Sequence, residues 1–82
     1  MKIFPGLIFR STDAQHTKLQ VVVSITNTTK FIKAPIWKEG GVYIIGLVSG
    51  ANVSEIGEVV DHIPENEITH SLNRFRKNKE GR

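Results

Sequence analysis

The chain has 82 residues and a mass of 9.2 kDa; 39% of its residues are hydrophobic, 23% are charged, and the net charge is +3. These values describe one small globular domain, which buries only about 60–65% of its unfolded surface and therefore has a thin core. The absence of cysteine excludes disulfides, thiolate zinc sites and thiol catalysis.

Two strands are predicted in the first 25 residues. Residues 2–10 carry a β-prone apolar run, in which Pro5-Gly6 marks a bulge or an edge because proline cannot donate to a ladder. Residues 19–25 are the clearest strand, since hydrophobic and polar residues alternate there with period two. Val22 interrupts the polar side of this pattern, which predicts that this face is partly covered as well.

The middle of the chain predicts two further strands. Residues 30–37 form the third strand, with Pro35 expected at an edge or near the strand's end. The Lys-Glu-Gly-Gly sequence at 38–41 is a strong turn signal, and residues 42–48 follow as another β-prone run. Residues 49–52 predict a second turn.

The last third combines an ambiguous segment with the best helix of the chain. Residues 53–63 place apolar side chains at helical spacing, but their β-branched residues and central glycine favour a strand over about 56–61. Pro64 suits a first helical position, and an apolar stripe with i, i+4 and i+7 spacing follows it. We therefore predict a helix over about 64–77.

These elements predict an α+β fold that is mostly β: a small twisted antiparallel sheet, or a partly open barrel, of about five strands with one C-terminal helix. Residues 1–78 would form this single domain, and residues 79–82 a basic tail. Because one copy has a thin core, we expect a homodimer. No stretch is apolar enough to span a membrane and the N-terminus lacks a signal-peptide cleavage site, so we expect a cytoplasmic protein without membrane contact.

The charges are segregated along the chain. Residues 1–50 carry six basic and two acidic side chains, residues 51–73 carry five acidic and no basic ones, and residues 74–82 carry five basic and one acidic. Helix electrostatics account for the last two blocks without any ligand. The basic block alternatively predicts a surface that binds a protein or nucleic-acid target. Its expected contacts are Asn73, Arg74, Phe75, Arg76, Lys77 and Lys79.

The sequence carries no signature of metal or cofactor chemistry. Phosphate-binding and dinucleotide-binding glycine loops, a HExxH helix and a nucleophile elbow are all missing. The histidines at positions 16, 62 and 70 do not have the spacing of a metal-ligand set. We therefore predict neither a cofactor nor a metal.

An early polar loop contains the residue types that metal-independent RNA cleavage requires. Such a reaction needs a general base, a general acid and cations for the phosphate. A solvated loop has the same composition, so the sequence leaves enzymatic activity open and favours its absence; a metal-independent endoribonuclease is the one enzyme it suggests. The catalytic candidates are Arg10, Asp13, His16 and Lys18.

Residues 53–75 contain, in this order, the segments VSEIGEVVD, ENEI, LN and F. They are similar to the C-terminal segment of CcdB when two single-residue gaps are allowed, so the sequence resembles the CcdB/MazF-PemK group of toxins from toxin–antitoxin systems. Phe9-Arg10, the strand 19–25 and the FIKAPI segment at 31–36 match the group in outline. The resemblance implies a twisted sheet with a C-terminal helix, a homodimer and a small acidic antitoxin as a partner.

The sequence departs from both active branches of this group. The ribonuclease branch has an arginine before its alternating strand, where Leu19-Gln20 stand here beside Lys18, and a threonine after Pro-Ile, where Trp37 stands here. The gyrase-poisoning branch has an aromatic–glycine–aliphatic tail that this chain lacks. We therefore expect a toxin-like growth inhibitor that binds a macromolecular target, a gyrase-like protein or RNA, without the family's catalytic residues.

Two other functions fit the sequence. If residues 42–77 were helical, they would form a helix-turn-helix DNA-binding regulator, with its recognition helix in the major groove. Alternatively, the segment 48–60 resembles small SH3-like barrels in its turn–glycine–strand order, which predicts an assembly subunit. The secondary structure of residues 42–60 separates the helical hypothesis from the other two.

Overall fold

The computed structural model describes residues 2–12 and 18–70, which form one antiparallel sheet and the start of a helix. A 3-10 turn at Val53–Glu55 precedes the last strand, and helix α1 begins at Glu65 and is described as far as His70. The predicted class, mostly β with a C-terminal helix, is confirmed. The strands are β1 (Leu7–Ser11), β2 (Leu19–Ile25), β3 (Lys30–Glu39), β4 (Val42–Ile45), β5 (Ser49–Asn52) and β6 (Ile56–His62).

The sheet has the strand order β4-β3-β2-β1-β6, and β5 also pairs with β3. The first half of β3 pairs with β5 and its second half with β4, so the two short strands lie end to end along one edge of β3. The described residues thus contain six strands, against about five predicted. The expected strand 42–48 ends at Ile45, and residues 49–52, predicted as a turn, form β5.

Pro35 explains why the strand opposite β3 is broken. The prediction that it lies at an edge or near the end of its strand is wrong, because Pro35 is inside β3 and pairs with Gln20 of β2. Its carbonyl accepts a 2.9 Å hydrogen bond from the N–H of Gly46, which lies in the break between β4 and β5. Proline has no N–H to donate in return, so the ladder is interrupted at this point.

The first strand begins later than predicted, at Leu7, because Pro5-Gly6 forms a turn. Gly6 has a φ of +104°, which side chains rarely allow. Its N–H donates to the Val22 carbonyl at 2.8 Å, and its carbonyl accepts from the N–H of Ile63 at 2.9 Å. Gly6 therefore links β2 to the segment that follows β6.

The core consists of two buried clusters on opposite faces of the sheet. Val21 and Val22 are adjacent and both fully buried, which confirms that the second face of β2 is covered too. Ile68 of α1 belongs to the first cluster, so the helix covers that face. The first cluster contains Ile8, Val21, Ala34, Ile36, Ile45, Ile63 and Ile68, and the second contains Leu7, Phe9, Val22, Phe31, Ala51 and Ile56.

The strand predicted over about 56–61 is confirmed as β6, an irregular strand that pairs with β1. Its register with β1 shifts twice, so the pairing skips Gly57 and Val60. The helix-turn-helix hypothesis is wrong, because residues 42–60 form β4, β5, the 3-10 turn and most of β6. Among the described residues, no helix is long and apolar enough to cross a membrane.

Candidate functional site

An apolar surface pocket of about 450 Å³ lies where the start of β2 meets the second half of β3. The register of these strands, in which Gln20 pairs with Pro35, brings the start of β2 beside the end of β3 although they are far apart in sequence. We call this cavity the Trp37 pocket. Its lining residues are Lys18, Leu19, Pro35, Ile36 and Trp37.

The indole of Trp37 is held in a defined orientation and is still partly open to solvent. Its Nε1–H donates a 2.9 Å hydrogen bond to Oε2 of Glu39, and 38% of the residue remains exposed. Gly46 allows a close approach on another side, because a Cβ there would lie 2.9 Å from Pro35 Cγ and 3.3 Å from the indole ring. The pocket thus offers a fixed aromatic surface for stacking.

Lys18 adds a positive charge to the rim of this apolar pocket. Lys18 is exposed, and no acidic side chain of residues 2–12 and 18–70 lines the pocket. An exposed indole and a lysine in one pocket suit a planar ligand that also carries a negative charge, because the ring stacks on the flat part and the cation attracts the anionic part. Among the described residues, the lining includes no histidine, hydroxyl or carboxylate side chain.

Of the four catalytic candidates, Arg10 and Lys18 are described, whereas Asp13 and His16 lie outside the described residues. Arg10 pairs with Leu19 across β1 and β2, so both cations flank the start of β2. The Arg10 guanidinium donates from Nη1 to Oε1 of Glu58 at 3.1 Å, and both side chains are exposed. This contact is a surface ion pair, and it does not join Arg10 to a reacting group.

The predicted target-binding surface at positions 73, 74, 75, 76, 77 and 79 lies entirely outside the described residues, as does the predicted tail 79–82. Of the three histidines, His62 is exposed and contacts the ring of Phe4 edge-on, with centroids 6.2 Å apart. Within residues 2–12 and 18–70, no three or more His, Cys, Asp or Glu side chains converge as a metal site would require.

Residues from two places at which the sequence departs from the ribonuclease branch of the toxin group lie in this pocket. The toxin resemblance draws attention to Leu19-Gln20, with Lys18 beside them, before the alternating strand and to Trp37 after Pro-Ile. The structure places Lys18, Leu19 and Trp37 in one pocket, which Gln20 does not line, and none of these residue types matches the ribonuclease branch. Composition and periodicity give no signal for this pocket, because it depends on the pairing register of β2 and β3. No family model, curated protein or solved structure matches this chain.

Proposed function

We propose that this protein is a toxin-like growth inhibitor of the CcdB/PemK type that binds a macromolecular target through the Trp37 pocket and does not cleave it. One observation carries the proposal: Leu19, one of the two residues in the place of the ribonuclease branch's arginine, lines a single pocket with its neighbour Lys18 and with Trp37, which stands in the place of the threonine. On this proposal the pocket takes the place of the family's site with other residue types, which favours binding over catalysis.

The architecture supports the same proposal. The resemblance implies a small antiparallel sheet followed by a C-terminal helix, and this is the observed order of elements. Its best-matching stretch begins at residue 53 and spans the 3-10 turn, β6 and the start of α1. The homodimer and the small acidic antitoxin that the resemblance implies are part of the proposal.

Single-stranded RNA is the target that the pocket fits best. A base stacked on an aromatic side chain is worth about 1–3 kcal/mol, and a lysine beside it contacts the phosphate. The stacking surface of Trp37 and the cation of Lys18 are the two features of the pocket that favour RNA over a gyrase-like protein as the target.

Growth of cells that express the protein tests the proposal directly. We expect the wild-type chain to inhibit growth and Trp37→Ala to relieve the inhibition. Val42→Ala is the matched control, because Val42 lies on the adjacent strand and is equally exposed, at 37%. Normal growth at high wild-type expression would contradict the proposal and favour the assembly subunit, which the strand–turn–strand order of residues 49–62 also fits.

Binding of a labelled single-stranded RNA to the purified protein tests the target. We expect Trp37→Ala to weaken the affinity about tenfold, within the range of one lost stacking contact. Lys18→Ala should lower the slope of log affinity against log salt concentration by about 0.7, the value for one phosphate contact.

The same RNA tests for cleavage, and we expect it to remain intact after long incubation with the protein. Cleavage products would contradict the non-catalytic mechanism, and capture of a gyrase-like protein without RNA binding would contradict the choice of RNA.

A further inference from the structure

A second cavity, of about 290 Å³, lies beside the turn between β2 and β3 and combines two lysines with an aliphatic floor. Lys2 and Lys30 are both exposed and supply the charge of the cavity. The floor consists of Ile3 and Val53, which pack against the core, and of Ile25, which is 44% exposed. We call this cavity the basic cleft.

The positive charge of the basic cleft has no counterpart in its own lining. No acidic side chain of residues 2–12 and 18–70 lines the cleft. Glu55 lines a neighbouring cavity together with Lys30, but its carboxylate is engaged elsewhere. Its Oε2 accepts from the N–H of Asn52 at 3.1 Å, and its Oε1 lies 3.8 Å from Nζ of Lys33. The cleft is therefore suited to an anion.

The polar wall of the basic cleft, at Asn27 and Thr28, belongs to a turn whose polar groups bind one another. Oδ1 of Asn27 accepts from the backbone N–H groups of Thr29 and Lys30, each at 2.9 Å. The Lys30 carbonyl accepts from the N–H groups of Thr26 and Asn27, each at 3.2 Å. These groups are not available to the amides of a bound peptide, so the wall favours a ligand without amides.

We propose that the basic cleft binds an aliphatic carboxylate, a fatty acid of short to medium chain length. The ammonium groups of Lys2 and Lys30 attract the carboxylate, and the hydrocarbon chain lies on the aliphatic floor. No aromatic side chain of the described residues lines the cleft, so a nucleobase has no ring to stack on there. The volume is at the lower end of the range for small-molecule sites, about 300–1,000 Å³, which limits the length of the chain.

Titration calorimetry of the full chain with octanoate tests the proposal. We expect saturable binding at low salt that weakens at about 1 M NaCl, where the Debye length is only about 3 Å. Octanol has the same chain length without the charge, and its dissociation constant should be about tenfold higher or more. The absence of octanoate binding, or equal affinities for octanoate and octanol, would overturn the proposal.

The dependence on chain length separates the cleft from a plain surface of lysines. From butanoate to octanoate, each added CH₂ group should lower the dissociation constant, by up to about fourfold where it is fully buried. Ile25→Thr should reduce this gain, because it makes the floor more polar. Val42→Thr is the matched control, since Val42 is 37% exposed and lies on β4, outside the cleft. Affinities that do not change with chain length would overturn the proposal.

Removal of one charge locates the carboxylate. Lys30→Gln should raise the dissociation constant of octanoate about tenfold and leave the gain per CH₂ group unchanged. Lys38→Gln is the control, because it makes the same charge change at a lysine that lies over the ring of Tyr43 instead of in the cleft. Both lysines are exposed, so circular dichroism should show an unchanged fold. A folded Lys30→Gln variant with wild-type affinity would overturn the proposal.

The proposal is independent of the proposed function, because the basic cleft and the Trp37 pocket share no lining residue. Trp37→Ala should therefore leave octanoate binding unchanged, whatever its effect on RNA binding or growth. A short peptide that ends in leucine with a free carboxylate should bind more weakly than octanoate. Loss of octanoate binding in Trp37→Ala, or tighter binding of the peptide, would overturn the proposal.

Discussion

The two halves of β3 use aromatic side chains in opposite ways. Phe31 and Trp37 are six positions apart on the same strand and therefore point to the same face of the sheet. Phe31 lies in the closed half, residues 30–33, and is fully buried against Phe9 in an edge-to-face contact with centroids 5.7 Å apart. Trp37 lies in the open half, residues 36–39, and stays partly exposed.

The difference arises from what the neighbouring strands bring over each half. Over the closed half, β5 contributes Ala51 and β6 contributes Ile56 to the cluster that encloses Phe31. Beside the open half, β4 supplies Ile44 opposite Trp37, and the break at Gly46 leaves the indole accessible. One face of one strand thus contributes to stability at one end and offers a contact surface at the other.

The largest expected differences in stability come from removing the two aromatic rings, one at a time. Phe31→Ala should reduce the free energy of unfolding by about 3–5 kcal/mol, since it leaves a cavity in the core. Trp37→Ala should reduce it by about 2 kcal/mol, because 38% of the residue is exposed and its hydrogen bond is at the surface. Equilibrium unfolding in urea measures both values. Similar losses for the two variants would contradict the distinction between the halves.

The turn at Gly6 supports the buried core next to the closed half, and its substitution should have the next largest effect. A Cβ at Gly6 would overlap the carbonyl of Ile63, so Gly6→Ala should cost about 3 kcal/mol. Gly40→Ala is the matched control: its φ is also positive, at +58°, but nothing lies within 4 Å of the added Cβ. Gly40→Ala should reduce the free energy of unfolding by about 1 kcal/mol. Equal losses for the two variants would show that the positive φ alone, and not the overlap with Ile63, determines the loss.

The sequence predicts the extended strands of this sheet better than it predicts which of their side chains are covered. The alternation in β2 and the β-branched residues of β6 predict extended strands, and both strands form over nearly the predicted residues. Alternation predicts which side chains share a face, but it does not predict whether another strand covers that face. The burial of Phe31 and the exposure of Trp37 therefore follow only from the tertiary structure.

Two errors have physical causes in pairing. Ser49-Gly50 has turn-type composition, yet it belongs to β5, because pairing with the closed half of β3 outweighs local preference. Pro35 was expected at an edge or strand end and lies inside β3, where its missing N–H faces a break in the opposite strand. The Trp37 pocket depends on the same register, so the sequence could not predict that it joins Lys18 to Trp37.

Substitution of Gly46, beside Trp37 in the open half, should have a smaller effect on stability. Gly46→Ala would place a Cβ 2.9 Å from Pro35 Cγ and 3.3 Å from the Trp37 ring, so these side chains must move. We expect a stability loss of about 1–2 kcal/mol and a changed indole environment. Trp37 is the sole tryptophan of the chain, so intrinsic fluorescence reports on the pocket directly. An unchanged emission spectrum would contradict the close packing of Gly46 on the indole.

The smallest losses of stability are expected when either of two ion pairs is broken. Glu55 accepts a 3.1 Å hydrogen bond from the N–H of Asn52 and lies 3.8 Å from Nζ of Lys33, whose side chain is only 15% exposed. Arg10 and Glu58 are both largely exposed. Glu55→Gln should therefore cost about 1 kcal/mol and Arg10→Ala about 0.3 kcal/mol, the latter vanishing in about 1 M salt. Thermal unfolding at two salt concentrations measures the difference. A larger loss of unfolding free energy for Arg10→Ala than for Glu55→Gln would contradict this ranking. It would mean that the exposed Arg10–Glu58 pair contributes more than the contacts of Glu55.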